Sequence, residues 1–352
     1  MRALKIDAVG RSSFHDVATP SPQSGEVLLA VRHVGLCGSD MATFTGGNPL
    51  VTLPRIPGHE LGCEVVEAGP GVPAEIAPGR RAIVIPYTTC GTCSSCRRGR
   101  FNACRYNRTL GVQQDGGLAE AIVVHHSKLI LNDRLAPRHL ALVEPLSVGF
   151  HAVARGRVTD QDHVVVLGCG MIGMGAIAGA AARGARVTAV DVGTAKHAVA
   201  RRWGATETLD AAAEDVRARV EALTGGDGAD VVIEAVGLPE TFRQAVDLVC
   251  FSGRVVYIGY SKAEVAYDTK LFNLKELDIM GSRNAVRDDF EAVIATLESG
   301  LRDPDELITK VVPFDSADTA LPWWLDHRAS TLKIVIERAS ADRAPGAMRE
   351  SV

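Results

Sequence analysis

The chain has 352 residues, 46% of them hydrophobic and 23% charged, with a formal net charge of −4. This length suits two domains better than one, and the composition is that of a globular protein. With mild acidity and no basic stripe, a nucleic acid or an anionic membrane surface is not expected as a partner. The opening stretch MRALKIDAVG has no apolar h-region, so no secretory leader is expected, and no run reaches the roughly 18 apolar residues of a membrane span. A cytoplasmic protein is expected, and in a reducing compartment clustered cysteines indicate metal rather than disulfides.

Residues 1 to about 147 read as strand-rich, with short turns. VGLCGSD brings Cys37, and IPGHELGCEV brings His59 and Glu60. These are a thiolate, an imidazole and a carboxylate, all metal-ligand types, on short glycine-rich turns. Each alone is weak, because a lone Cys is commonly a small core residue and a lone His commonly just hydrogen-bonded. CGTCSSCRRGRFNAC then places Cys90, Cys93, Cys96 and Cys104, half of the chain's eight cysteines, at the spacing C-x2-C-x2-C-x7-C. Thiolates so spaced close around one zinc ion. Gly91 and Gly99 let the lobe curl, and Arg97, Arg98 and Arg100 offset its charge. The ferredoxin spacings differ. A closed four-thiolate site leaves no position for a substrate, so this lobe is expected to be structural. LGVQQDGGLAEAIVV reads as a turn at 115–117 followed by a strand, and LVEPLSVGFHA sets Glu144 before a proline at a helix start.

From residue 148, strands and helices alternate, with strands expected at 163–167, 186–190, 206–209, 230–235, 253–258 and 277–280. That alternation predicts a doubly wound parallel sheet, an α/β architecture. The first strand ends in Gly168, Gly170 and Gly173, spaced G-x-G-x-x-G. These permit the tight turn, the approach of a pyrophosphate and close helix packing. The second strand delivers Asp191 about 20 residues on, where a carboxylate meets ribose hydroxyls and repels a 2′-phosphate. After Arg283, DDFEAVIATLESG reads as a helix and STLKIVIE as a closing strand returning to the first domain. The tail ASADRAPGAMRESV is small and polar and is expected to be mobile.

Together these motifs resemble the zinc-dependent medium-chain dehydrogenase/reductase family over nearly the whole chain. His59 directly followed by Glu60, and EPLSVGFHA, resemble its polyol and threonine dehydrogenase branch rather than its ethanol-type branch. The resemblance implies a GroES-like catalytic domain over 1–147 and 284–352 and a Rossmann coenzyme domain over 148–283. It implies two zinc ions per chain and NAD as cofactor. Cys37 and His59 match catalytic zinc ligands, and Glu60 and Glu144 the glutamates that complete or flank that site. Ser39 matches a proton-relay hydroxyl, and Asp40 a carboxylate orienting the ligand histidine. Gly168, Gly170, Ile172, Gly173 and Asp191 match NAD contacts. Val236, Gly237, Ile258, Gly259, Ser282 and Arg283 match the nicotinamide side. The resemblance also implies a homo-oligomer, a tetramer before a dimer, joined through the edges of coenzyme sheets.

The function expected is hydride transfer from a secondary alcohol, such as a polyol, sugar or sugar acid, to NAD. L-threonine 3-dehydrogenase, a zinc reductase working from carbonyl to alcohol, and a non-enzymatic zinc-stabilised NAD-binding regulatory protein are the rivals. A binding module would not need Cys37, His59 and Glu60. Phe44, Asn48, Tyr106 and Arg283 are candidates for the substrate pocket, and His151 for the cofactor border. Cys63, Cys169 and Cys250 are expected as inert core residues, and Trp323 and Trp324 as core or interface.

Overall fold

A computed structural model describes residues 1–339. Apart from Ala339, the tail expected to be mobile lies outside the described residues. The chain divides into two compact units. One holds Met1–Thr88, Arg108–Glu144 and the chain from Ile308; the other holds Thr89–Asn107 and Pro145–Leu307. The four-cysteine lobe and residues 284–307, expected with the strand-rich domain, therefore group with the second unit.

The first unit is built on a seven-stranded sheet. Its central strand, Glu26–Gly35, pairs antiparallel with Glu60–Ala68, Ala121–His125 and Lys333–Glu337. Alternate apolar side chains of these strands, including Leu29, Val31, Leu61, Ile334 and Ile336, enter one core with Leu4 and Ile6. STLKIVIE thus returns, as expected, to pair beside the segment that ends in Cys37.

The second unit is a six-stranded parallel sheet. Its spatial order is Glu207–Asp210, Arg186–Asp191, His163–Leu167, Ala229–Glu234, Val249–Tyr257, Asp278–Gly281. All six expected strands form, within a few residues of their expected bounds. His163–Leu167 is buried along its whole length, as a central parallel strand covered on both faces must be. Val165, Leu167, Val190, Val232 and Val255 form the core on one face. Chain order reverses beside this strand, and ligands of open α/β sheets bind at that end. Among the described residues, no helix is long and apolar enough to cross a membrane.

Candidate active site

Cys37 is the N-cap of the helix Gly38–Phe44, and Asp40 Oδ2 accepts from its backbone N–H at 2.9 Å. His59 follows Gly58, whose φ of +100° and whose approach to Val34 and the Leu118 backbone exclude a side chain. Glu60 begins the next strand opposite Gly35, where any Cβ would collide with the Glu60 carboxylate. These local rules bring the ligand atoms of Cys37, His59 and Glu60 within 4.8 Å of one another.

Both oxygens of Glu60 are taken by Lys333 Nζ, at 2.7 and 2.5 Å, and the same ammonium donates to the Leu36 carbonyl at 2.9 Å. Side-chain exposure of the pair is 3% and 1%, so this is a buried, neutralised carboxylate. Sequence reasoning read Lys333 only as part of a strand. The signal available was a lysine beside four apolar neighbours in STLKIVIE. Glu144 is buried and accepts from the Tyr87 hydroxyl. Burial raises the Glu144 carboxyl above the usual range, with the Glu60 charge adding to it and His59 opposing it. Burial and then Glu144 push the Tyr87 phenol well up, so it stays a donor. Tyr87 was also missed.

Ser39 Oγ, Asp40 Oδ1 and His59 Nδ1 are buried without hydrogen-bond partners. Asp40 and His59 share no hydrogen bond in this structure, although the Asp40 charge acts on the imidazole. Burial opposes a charged His59, but Cys37, Asp40 and Glu144 together raise its pKa well above the usual value. A concentration of anionic groups around one imidazole, with orphaned polar atoms at its edge, suits a divalent cation. The residues present fit zinc, with Cys37, His59 and Glu60 as donors.

The sulfurs of Cys90, Cys93, Cys96 and Cys104 also lie within 4.8 Å of one another. The Cys90–Cys96 and Cys93–Cys104 separations are each 4.0 Å, near the edge of about 3.8 Å of a zinc–thiolate tetrahedron. Backbone N–H groups of Cys93 and Cys90 point at the sulfurs of Cys90 and Cys104, at 3.3 and 3.4 Å. The Cys93 N–H in particular holds the Cys90 thiol down at about 6. This set fits a closed zinc site.

In the second unit, Gly168 turns with φ +97°, and a Cβ on Gly173 would collide with the Gly168 carbonyl. A Cβ on Gly170 would meet nothing within 4 Å, so the backbone there stands open. Gly170 caps the helix Met171–Ala182, whose first-turn Ile172 is half-buried. Open N–H groups at a helix start form an anion site. Asp191 is held by Cys169 N at 3.1 Å, Val192 N at 2.8 Å and Lys196 Nζ at 3.4 Å. The donor set and the open glycine fit a dinucleotide.

At the neighbouring strand end, Glu234 Oε1 accepts from Val236 N, Gly237 N and Thr241 Oγ1 at 2.7–2.8 Å. Its Oε2 lies where a Cβ on Gly259 would fall, 2.5 Å away. Glu234 thus shapes the turn that presents Val236, and sequence reasoning missed it. Ile258 and Ser282 are buried, and the Arg283 guanidinium reaches the Cys104 carbonyl at 3.5 Å. Both ring nitrogens of His151 are engaged, by Asn102 and Asp289. Cys63 and Cys169 are core thiols, each pushed up to about 12 by burial, whereas Cys250 is only half-buried.

Residues 172–299 match the family profile described as zinc-binding dehydrogenase, and residues 23–134 the alcohol dehydrogenase GroES-like domain. The chain is 36% identical over 295 residues to an L-galactonate-5-dehydrogenase of Escherichia coli K12, covering 84% of this chain and 86% of that one. It is 32% identical over 330 residues to a sorbitol dehydrogenase of Halalkalibacterium halodurans, covering 91% and 95%. A zinc-binding dehydrogenase from Sinorhizobium meliloti 1021, solved with NADP, superposes with a TM-score of 0.86 at 31% identity, covering 96% and 98%. An alcohol dehydrogenase from Escherichia coli CFT073, solved with NADH, gives 0.88 at 27%, covering 96% and 99%.

Proposed function

The chain belongs to the zinc-binding dehydrogenase family, and from that premise we propose that it oxidises a secondary alcohol of the polyol or sugar-acid class, with NAD as hydride acceptor. The observation that carries the reading is Cys37, His59 and Glu60 gathered within 4.8 Å, in a chain that also holds the open Gly170 turn and Asp191. When bound, zinc supplies Lewis acidity that lowers the pKa of an alcohol hydroxyl. Ser39 Oγ, buried and without a partner, relays the proton given up by that hydroxyl, passing its own proton on toward a cofactor ribose hydroxyl and solvent. Tyr87 fixes Glu144, and Lys333 fixes Glu60, so the two carboxylates stay where charge balance needs them. The Gly170 backbone receives the pyrophosphate.

Asp191 favours NAD, because its carboxylate would face a 2′-phosphate; the net charge of its pair with Lys196 limits how strong that preference is. Two zinc ions per chain are proposed, one on Cys37, His59 and Glu60 and one on the four-cysteine lobe. Val236, Gly237, Ile258, Gly259, Ser282 and Arg283 are assigned to the nicotinamide side. The relatives named for L-galactonate and sorbitol support a polyhydroxylated substrate. A cytoplasmic homo-oligomer is proposed: the unpaired edge strand Asp278–Gly281, where Ile279 is 38% exposed, supports pairing of two coenzyme sheets, and a tetramer before a dimer rests on the family resemblance alone.

The test is metal analysis of the purified protein combined with a screen of polyols, aldonates and L-threonine for reduction of NAD and NADP. Two zinc ions and NADH formed from a polyol or aldonate are expected. One zinc ion and no turnover would overturn the enzyme reading, and turnover of threonine alone would overturn the substrate class.

A further inference from the structure

Asn102 lies in the 3-10 turn Phe101–Ala103, between the third and fourth cysteines of the lobe, and is 4% exposed. Its Nδ2 donates to the Arg283 carbonyl at 2.7 Å and lies 2.9 Å from His151 Nε2. Its own carbonyl accepts from Asn284 Nδ2 at 3.0 Å. The Arg283 guanidinium donates to the Cys104 carbonyl. Residues 283 and 284 are thus bound to the lobe through a backbone group and both side chains. Asn284 has φ +54°, a left-handed conformation that asparagine adopts more readily than most side chains.

Hydrogen-bond chemistry fixes the orientation of this network. A carbonyl can only accept, so the Arg283 oxygen requires the nitrogen of the Asn102 amide to face it. The same nitrogen faces His151 Nε2, which must then be the unprotonated acceptor. The ring proton sits on Nδ1 and is donated to Asp289 Oδ2 at 2.8 Å. That carboxylate oxygen also accepts from Val286 N at 2.9 Å, at the start of the helix Arg287–Glu298. Asn102, His151 and Asp289 therefore grip the segment 283–286 at both ends. Just before it, Ser282 N is anchored on the Tyr257 carbonyl at the end of the sheet.

We propose that Asn102 is a positioning residue that ties the segment 282–286 to the four-cysteine lobe, so that this attachment strengthens dinucleotide binding. The dinucleotide part rests on the assignment of Ser282 and Arg283 to the nicotinamide side; the coupling to the segment does not. A merely structural Asn102 would loosen the whole unit when altered. A positioning residue loosens one segment and moves one kinetic constant.

The experiment uses the full-length, zinc-loaded protein and the variants Asn102→Ala, Asn102→Asp and His151→Gln. Hydrogen–deuterium exchange is followed at 282–286, with the strand His163–Leu167 as internal reference. Asn102→Ala should speed exchange of the segment about tenfold or more, with zinc content and the reference strand unchanged. Asn102→Asp has the same shape but sets an oxygen against the Arg283 carbonyl, so it should do no better. His151→Gln can still accept from Asn102 and should stay near the parent protein. KM for the dinucleotide should rise about tenfold in Asn102→Ala, with kcat within about twofold. Unchanged exchange at 282–286, or equal acceleration of the reference strand, would overturn the positioning role. Faster exchange at 282–286 with an unchanged KM would uphold the coupling and overturn only the nicotinamide-side assignment.

Discussion

Replacing Lys333 by Met tests whether the buried charge pair beneath Cys37 and His59 has been read correctly. The ammonium has three protons, and the structure gives it three acceptors: the Leu36 carbonyl and the two oxygens of Glu60. With side-chain exposures of 3% and 1%, water cannot take over either role. In the metal-free protein, removing one member of such a pair leaves an uncompensated buried charge, which costs about 3–5 kcal/mol. For a unit of this size each kcal/mol moves the melting midpoint about 2–4 °C, so Lys333→Met should lower it by about 6–20 °C. Glu60→Gln keeps the shape that Gly35 accommodates and removes the charge. The double variant should therefore be more stable than Lys333→Met alone, by about 2 kcal/mol. Scanning calorimetry of all four proteins in that metal-free form closes the cycle, with zinc content measured alongside. A loss below about 1 kcal/mol in Lys333→Met, the range of an exposed pair, would refute the reasoning.

Gly170→Ala should leave the melting midpoint within the small range of surface substitutions, because a Cβ there meets nothing within 4 Å, yet it should weaken dinucleotide binding measured by fluorescence titration. Gly173→Ala should destabilise the fold by about 1–3 kcal/mol, since its Cβ collides with the Gly168 carbonyl; a reversal of these two patterns would break the assignment of the turn. Asp191→Ala should narrow the preference for NAD over NADP chiefly by weakening NAD, and a parent protein that uses both equally would contradict this. Cys93→Ser should lose one zinc ion and destabilise the lobe, and full stability with one ion fewer would remove its structural role. Burial, then Arg186, lowers the His163 pKa below its ordinary 6.5. The unfolded chain thus takes up the proton first, and stability should be full above pH 6.5 and decline below it until the folded pKa is passed. His163→Gln should flatten that decline in pH-dependent denaturation, and an unchanged slope would contradict the assignment.

Legibility from sequence followed how local each cause is. The glycine turn and its strand were legible because G-x-G-x-x-G answers to collisions within a few residues, as at Gly168 and Gly173. The strand His163–Leu167 was legible because a run buried on both faces is written as continuous Val and Leu. The four-cysteine lobe was legible from spacing, since C-x2-C closes on one ion from one turn. Cys37 and His59 are 22 positions apart, and their meeting depends on the pairing of Gly35 with Glu60 across two strands. The resemblance, rather than spacing, brought that pair together.

What escaped notice were polar groups whose partners lie far along the chain. Lys333 meets Glu60 across 273 positions, and Asn102 meets Arg283 across 181. No period or short motif encodes such a pair, because each partner is set by sheet order rather than by its neighbours. Yet each left a trace, a lysine in an apolar strand and an asparagine between two ligand cysteines; Glu234, whose partners Val236, Gly237 and Thr241 are local, left a similar one as a glutamate before AVG at a buried strand end. Burying a polar group without a partner is costly. A polar residue at a position that the pattern marks as buried is therefore itself a statement that a partner exists. Lys333, Glu234 and Asn102 each have one, and each partner lies at or beside a residue proposed for the metal or the dinucleotide. In this chain the violations of the apolar pattern mark the groups that hold the proposed site residues in place, one step away from those that would touch the metal or the dinucleotide.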